Sequence, residues 1–232
     1  NSLPDNYTNF EFVDSMREVL FGKAGFTGDT KDYFDPGNSH LNEVIDRLKG
    51  NPVTLSIFYI EVARVAGEKV RGISLRKHFV VVVGTDEDRI YVDPFHYGGL
   101  LSRKECITNI LGKDNVKNGD FDDLERKYLI PASNRAILRR QMSNLKVAHE
   151  KHKQYELALS ASERIQLIDP KNLRNLSELA HLQTKVGNFV DAVDSLTKFL
   201  ERAPAGSNTE QAESALSKLK ALTMRGSEDS SD

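Results

Sequence analysis

The chain has one cysteine, no tryptophan and seven prolines in 232 residues. A single thiol, Cys106, excludes an internal disulfide and any metal cluster built on several thiolates, and it fits a reducing compartment. No apolar run approaches the roughly 20 residues that a helix needs to cross a bilayer, so membrane insertion is not expected. Positive charge is not in surplus either: 32 Lys and Arg stand against 34 Asp and Glu, a net charge of −2. Proteins held mainly to phosphates carry a basic excess, so nucleic acid is not an expected partner. What remains is a composition of 39% hydrophobic and 28% charged residues, ordinary for a water-soluble protein of one large domain or two modest ones. The chain opens at Asn1 without a methionine, which leaves room for a removed targeting segment. The expected location is soluble and intracellular, in the cytoplasm or an organelle interior.

The most patterned stretch runs from Gly50 to Gly99. Ahead of it, Phe10, Val13, Met16, Val19 and Leu20 recur at helical spacing, and Leu41, Val44, Ile45 and Leu48 mark a second helix after the turn-forming run Asp35-Pro36-Gly37-Asn38-Ser39. Asn51 is a good N-cap and Pro52 suits the first helical position, so a third helix starts there and stops at Gly67. Its side chains are apolar on nearly every face, which predicts a buried helix, with Glu61 and Arg64 spaced to pair. After a short connector, Phe79 to Val83 is an unbroken β-branched and aromatic run, read as a strand covered on both faces. Ile90 to Val92 is its hairpin partner. A turn centred on Asp86-Glu87 pairs residue 93 near residue 80, which places His78 and Asp93 within hydrogen-bonding reach.

Farther on, Ser102 and Glu105 form a capping box for a short helix carrying Cys106 and Ile107, followed by a polar loop from Lys113 to Asp122. The stretch 124–140 then reads as a basic connecting helix. The last third repeats itself: Tyr155 aligns with Phe189, Ala158 with Ala192, Ile165 with Phe199 and Pro170 with Pro204, each 34 residues apart, the tetratricopeptide period. Residues 141–224 are expected to form two such repeats with a capping helix, and 225–232 a disordered acidic tail.

A His and an Asp on adjacent strands behind a buried helix is the layout of a Cys-His-Asp hydrolase or acyl-transferase. Thr54 and Ser56, near the start of the buried helix, are the available hydroxyls, and both are equally explained by packing and back-bonding. Cys106 follows the His and Asp on a separate helix and reads as a small buried hydrophobe. His78, Asp93 and His96 have proper metal-ligand chemistry, but no tight spacing such as HxxxH accompanies them. No metal and no cofactor is expected. The basic face from Arg126 to Lys153 is either a solvated helix surface or a site for acidic peptide or phosphate.

The residues YFDPGNSHLNEVIDRLKGNPVTLSIFYIEVARVAG, HFVVVV and YVDPFHYGG, followed by tetratricopeptide repeats, resemble the SirB-type transglutaminase-like proteins. The resemblance implies an α+β fold with a papain-like transglutaminase core over residues 1–123, an antiparallel sheet packed on a buried helix, followed by an all-α repeat domain. It places His78 and Asp93 on two members of the transglutaminase triad. Counting 15 residues back from Gly67 places Pro52 on the third, where the nucleophilic Cys belongs. The mouth of the site, Leu75-Arg76-Lys77-His78, departs from the family's Phe-Pro-Gly-His and is basic. The expected function is a non-catalytic protein-binding adaptor or regulator, with a protein or peptide partner on the repeats. The alternative is a hydrolase or acyl-transferase using His78 as base with Thr54, Ser56 or water as nucleophile. Candidate binding residues are Asn51, Thr54, Arg76, Lys77 and His96 around the groove, Arg139 and Arg140 on the basic helix, and Tyr155 and Phe189 on the repeats.

Overall fold

The computed structural model describes residues 6–85, 88–113, 116 and 121–228, and divides into two compact units, Asn1–Gln141 and Met142–Asp232. In the first unit, helix α1 (Asn9–Met16) begins at a capping box between Thr8 and Glu11 and continues into a wider π-helical turn, Arg17–Lys23. Phe12, Val13, Met16 and Leu20 turn inward. Phe10 and Val19, expected on the buried face, lie outside at 58% and 48% exposure. Phe10 yields its place to Phe12, about 200° round the helix. Val19 falls in the π turn, where the angular advance per residue changes and a 3.6-residue pattern no longer marks the inner face.

Strand β1 (Thr27–Gly28) precedes helix α2 (Leu41–Arg47) and pairs in parallel with β2 (Lys49–Gly50). Helix α3 (Pro52–Val65) follows, capped by Asn51, whose Oδ1 accepts the backbone N–H groups of Val53 and Thr54 at 2.9 and 3.0 Å. Every residue from Pro52 to Ser56 is buried, whereas beyond Ser56 only Tyr59 and Ala63 are. The helix is therefore enclosed at its start and one-faced at its end. The expected Glu61–Arg64 pair forms at 2.8 Å on its exposed side.

An antiparallel sheet follows, in the order β3 (Val70–Ser74), β4 (Phe79–Val83), β5 (Ile90–Asp93) and β6 (Gly99–Leu101). All five β4 side chains are 1% exposed or less. Val81 and Val83 join Phe12, Met16 and Tyr59 on one face, while Val80 and Val82 join Cys106, Ile107 and Leu129 on the other. Val81 pairs with Val92, the register that sets Asp93 opposite residue 80. The turn residues Asp86 and Glu87 lie outside the described residues.

The connector expected between α3 and the hairpin contains β3. Gly72 at its centre weakens the strand signal, yet it is required there, because a Cβ would come within 2.6 Å of the Phe79 ring. Helix α4 (Arg103–Leu111) starts at the Ser102–Glu105 capping box. Of the polar loop from Lys113 to Asp122, residues 114, 115 and 117–120 lie outside the described residues, and α5 (Phe121–Tyr128) takes up its end. The stretch 124–140, expected as a single helix, is broken, since α5 ends at Tyr128 and α6 (Asn134–Lys151) begins six residues later. Pro131 disfavours a helical Ile130 and instead bridges to Ile73, while the Ala132 N–H donates to the Gly72 carbonyl at 2.8 Å.

Inside α6 the chain passes into the second unit, which continues with α7 (Tyr155–Ile168), α8 (Leu173–Lys185), α9 (Phe189–Arg202) and α10 (Glu210–Glu228). The 34-residue period recurs as matching boundaries: α7 and α9 start at the aligned Tyr155 and Phe189, and Ala158 and Ala192 are both fully buried. Leu219 of α10 closes the second cluster against Ala180, Ala192 and Leu196. The tail expected to be disordered is helical through Glu228, carried past Gly226 by the helix formers before it, and 229–232 lie outside the described residues. Lys146 occupies the repeat position that Ala180 fills in the next repeat. Its buried ammonium is paired with Glu178, which Arg174 also holds at 2.8 Å.

Tyr59 is fully buried and its hydroxyl has no partner among the described residues. An unpaired buried hydroxyl costs about 1 kcal/mol or more, so Tyr59→Phe should hold or raise stability in chemical denaturation. A loss above about 1 kcal/mol would mean that the hydroxyl has a partner.

For Glu178, burial alone would raise the carboxyl. The hydrogen bonds and charges of Lys146 and Arg174 outweigh it and hold the group below its ordinary 4.5. A depressed carboxyl stabilises the fold above its unfolded pKa, and that contribution fades as pH falls through the folded value. Glu178→Gln should therefore cost about 1–3 kcal/mol at pH 7, discounted for the carboxylate's partial exposure. Its melting temperature should also vary less than the parent's between pH 6 and pH 3.

Candidate functional site

The site grows from the end of β5. Asp93 is followed by Pro94, which opens a short 3-10 turn, Pro94–His96, and the Asp93 side chain caps that turn. Its Oδ1 accepts the backbone N–H of Phe95 at 3.0 Å and of His96 at 3.3 Å. The turn thereby folds His96 back over the carboxylate that caps it. Tyr97 and Gly98, both at positive φ, then reverse the chain into β6. Gly28 of β1 packs against the same turn so closely that a Cβ there would lie 2.5 Å from the Phe95 carbonyl oxygen.

The second carboxylate oxygen, Oδ2, faces two imidazoles. His78 Nε2 lies 2.7 Å from it, and so does His96 Nδ1. The three side chains grade outward, with Asp93 6% exposed, His78 16% and His96 64%. Burial alone would raise the Asp93 carboxyl, but the hydrogen bond and charge of His78, then those of His96, hold it below its ordinary 3.8. It is a carboxylate at neutral pH. An imidazole oriented in this way can act as a general base.

A nucleophile for that base is harder to find. Pro52, at the first position of α3, is buried and offers no reactive atom. The Thr54 hydroxyl donates to the Asn38 carbonyl at 2.6 Å and accepts the Asn51 N–H at 3.1 Å, so it belongs to the helix cap. Asn51 is committed in the same way, with its Nδ2 donating to Ser39 Oγ at 2.9 Å. Ser56 is fully buried, 3.5 Å from the Phe79 carbonyl. Burial pushes the Cys106 thiol up to about 12, helped by the negative charges of Glu105, Asp93 and Glu125. It stays protonated and inert. Among the described residues no hydrogen bond joins Thr54, Ser56 or Cys106 to His78.

Arg76 and Lys77 are exposed in the turn that leads to His78. An aromatic wall adjoins the imidazoles: Phe95 meets His78 edge-on at 5.9 Å, and Tyr33 meets Phe95 at the same distance. Tyr33 and Phe95 carry no site signal in the sequence, because both sit in turn-forming segments whose contact is long-range. Arg140 is half-buried, its pKa lowered by desolvation and partly restored by Tyr33, while Arg139 is exposed. In the second unit, Tyr155 is half-buried beneath Lys185, whose Nζ lies 5.7 Å from the ring centroid, and Phe189 is exposed at the start of α9. A concavity of about 700 Å³ lined by Ile60, Arg64, Glu68, Val70, Arg71 and Thr85 shares no residue with the His-Asp-His cluster. No helix among the described residues is long and apolar enough to cross a membrane.

Residues 1–143 match the transglutaminase-like superfamily and residues 145–217 match a tetratricopeptide repeat. A UPF0162 protein of Xylella fastidiosa (strain 9a5c) is 32% identical over 198 residues, covering 84% of this chain and 69% of the relative. A UPF0162 protein of Vibrio cholerae is 24% identical over 192 residues, covering 82% and 69%. Human F-box only protein 21 is 30% identical over 104 residues, covering 41% of this chain and 17% of that protein. No solved structure matches. The chain belongs to the transglutaminase-like superfamily and, within it, to the SirB-like UPF0162 family, with a tetratricopeptide-repeat region following the core.

Proposed function

We propose that this protein is a non-catalytic, protein-binding adaptor or regulator built on a transglutaminase-like core. The observation that carries the reading is the buried Pro52 at the helix start, where the family resemblance places the nucleophile, beside an intact His78–Asp93 hydrogen bond. Among the described residues, no side-chain nucleophile is hydrogen-bonded to His78. The repeat unit supplies the binding function. Helix α8 carries Arg174, Glu178, His181 and Lys185 along one stripe, spaced i, i+4, i+7 and i+11. Arg174 and Lys185 are cationic, His181 adds an exposed imidazole, and Glu178 is already engaged by Lys146 and Arg174. An acidic peptide fits that stripe.

The 232-residue chain used as bait should retain a partner that the double variant His181→Glu, Lys185→Glu loses, with circular dichroism unchanged. Equal recovery by both proteins, or no partner at all, counts against the reading. A second reading, hydrolysis by a water activated at His78, is favoured by the 2.7 Å His78–Asp93 contact. Turnover of an ester or amide panel that disappears in His78→Ala would promote it over the adaptor.

Pro52 separates a merely damaged enzyme from a rebuilt scaffold. In a Cys106→Ser background, Pro52→Cys would place a thiol at a helix N-terminus, where an activated thiolate has a pKa well below about 8.5. Because position 52 is buried, this thiol should alkylate no faster at pH 7 than an unactivated one. Rapid modification that slows in His78→Ala would overturn the adaptor reading.

A further inference from the structure

The His78–Asp93–His96 cluster holds more than one oriented base requires. A single imidazole suffices for a general base, and the Asp93 carboxylate already finds two backbone partners through Oδ1. A second imidazole converging on Oδ2, from a residue that is mostly exposed, is not needed for packing. We propose that these three side chains form a binding site for a divalent first-row transition-metal ion.

The donor set is two imidazole nitrogens and one carboxylate oxygen. This combination suits zinc, iron and their neighbours rather than calcium or magnesium, which take oxygen ligands. Three protein ligands also leave coordination positions open for water, as in metal sites that bind or activate small molecules. The geometry is close to what such an ion needs. One ligand atom from each residue lies within 4.8 Å of the others. With metal bonds of about 2.0–2.2 Å, the donor atoms of a tetrahedral site stand roughly 3.4 Å apart. The two nitrogen–oxygen distances of 2.7 Å must therefore open by a fraction of an ångström.

That adjustment falls on the imidazole rings, because the carboxylate is held. The far nitrogens of His78 and His96 carry no hydrogen bond among the described residues, so only ring packing against Phe95 and against each other resists a small rotation. Asp93 is fixed through Oδ1 by the turn it caps, the kind of outer-sphere bond that orients a ligand carboxylate. The exposed His96 gives an ion its path in. Exposed Arg76 and Lys77 next to His78 oppose a cation, although water screens charges at the surface. The linear spacing of the three ligands carries no metal motif. The β4–β5 hairpin brings the first two together, and the Asp-capped turn adds the third.

The proposal goes beyond the adaptor reading and does not depend on it. The test uses the 232-residue chain stripped of metal by a chelator, with Co²⁺ titrated and its visible d–d absorption recorded, and Zn²⁺ measured by competition with a chromophoric chelator. One ion per chain is expected. His96→Ala should weaken binding by at least about tenfold, and His152→Ala, at an exposed imidazole on the second unit, should leave it unchanged. Asp93→Asn should weaken binding as well, but it alters a buried cap and risks the fold, so the exposed His96 carries the decision. Circular dichroism of His96→Ala should match the parent. Binding that survives His96→Ala undiminished, or no d–d absorption from a bound ion, would overturn the site.

Discussion

The structure of the first unit depends on the burial of β4 from both sides. Each fully buried Phe or Val side chain contributes roughly 1.5–3 kcal/mol, so one five-residue strand outweighs any single polar contact in the domain, each worth about 1 kcal/mol. To exclude water from Val81 and Val83 on one face and from Val80 and Val82 on the other, helices must cover both. Helices α1 and α3 take one face, and α4 with the chain that follows takes the other. The site is a consequence of that enclosure, since His78 stands at the point where β4 enters the core and Asp93 at the point where its partner leaves.

Asp93 works on two scales. Locally it caps the turn that follows β5, satisfying two backbone N–H groups that the strand end would otherwise leave to solvent. Across the hairpin it holds His78, and through its own turn it holds His96. A carboxylate with four such partners stays ionised despite its burial, because the hydrogen bonds and charges of the imidazoles outweigh desolvation. The opposite environment acts on Cys106, where burial and surrounding negative charge keep the thiol protonated. The chain's one thiol is thus kept protonated against the same sheet that carries His78 and Asp93 at its strand ends. The His78–Asp93 hydrogen bond also ties the start of β4 to the end of β5.

The second unit follows a different rule. Its helices bury small residues at repeated positions, Ala158 and Ala192 among them, so that neighbouring helices approach closely. Where the pattern is broken by Lys146, the charge is compensated in place by Glu178 rather than expelled. A buried ammonium without that partner would cost several kcal/mol. The departure from the repeat pattern and its compensating carboxylate therefore belong together.

Local signals were legible in the sequence wherever neighbouring residues alone decide the outcome. Asn51-Pro52 is a cap and a first-turn proline whatever surrounds it, Ser102-Glu105 is a capping box, and the 34-residue period announced the repeats. The uninterrupted run of β4 announced burial on both faces, and the hairpin register inferred from a turn centred on Asp86-Glu87 brought His78 near Asp93. The sequence could not show which of Phe10 and Phe12 turns inward, that a Gly-containing connector is an edge strand, or that Pro131 breaks a basic helix to bridge β3. Each of those is decided by partners distant in the chain. The same holds for the site. Its residues were readable one at a time, but the convergence of two imidazoles on one carboxylate oxygen, and the commitment of the Thr54 hydroxyl to a cap, exist only where long-range packing sets side chains within about 3 Å of one another.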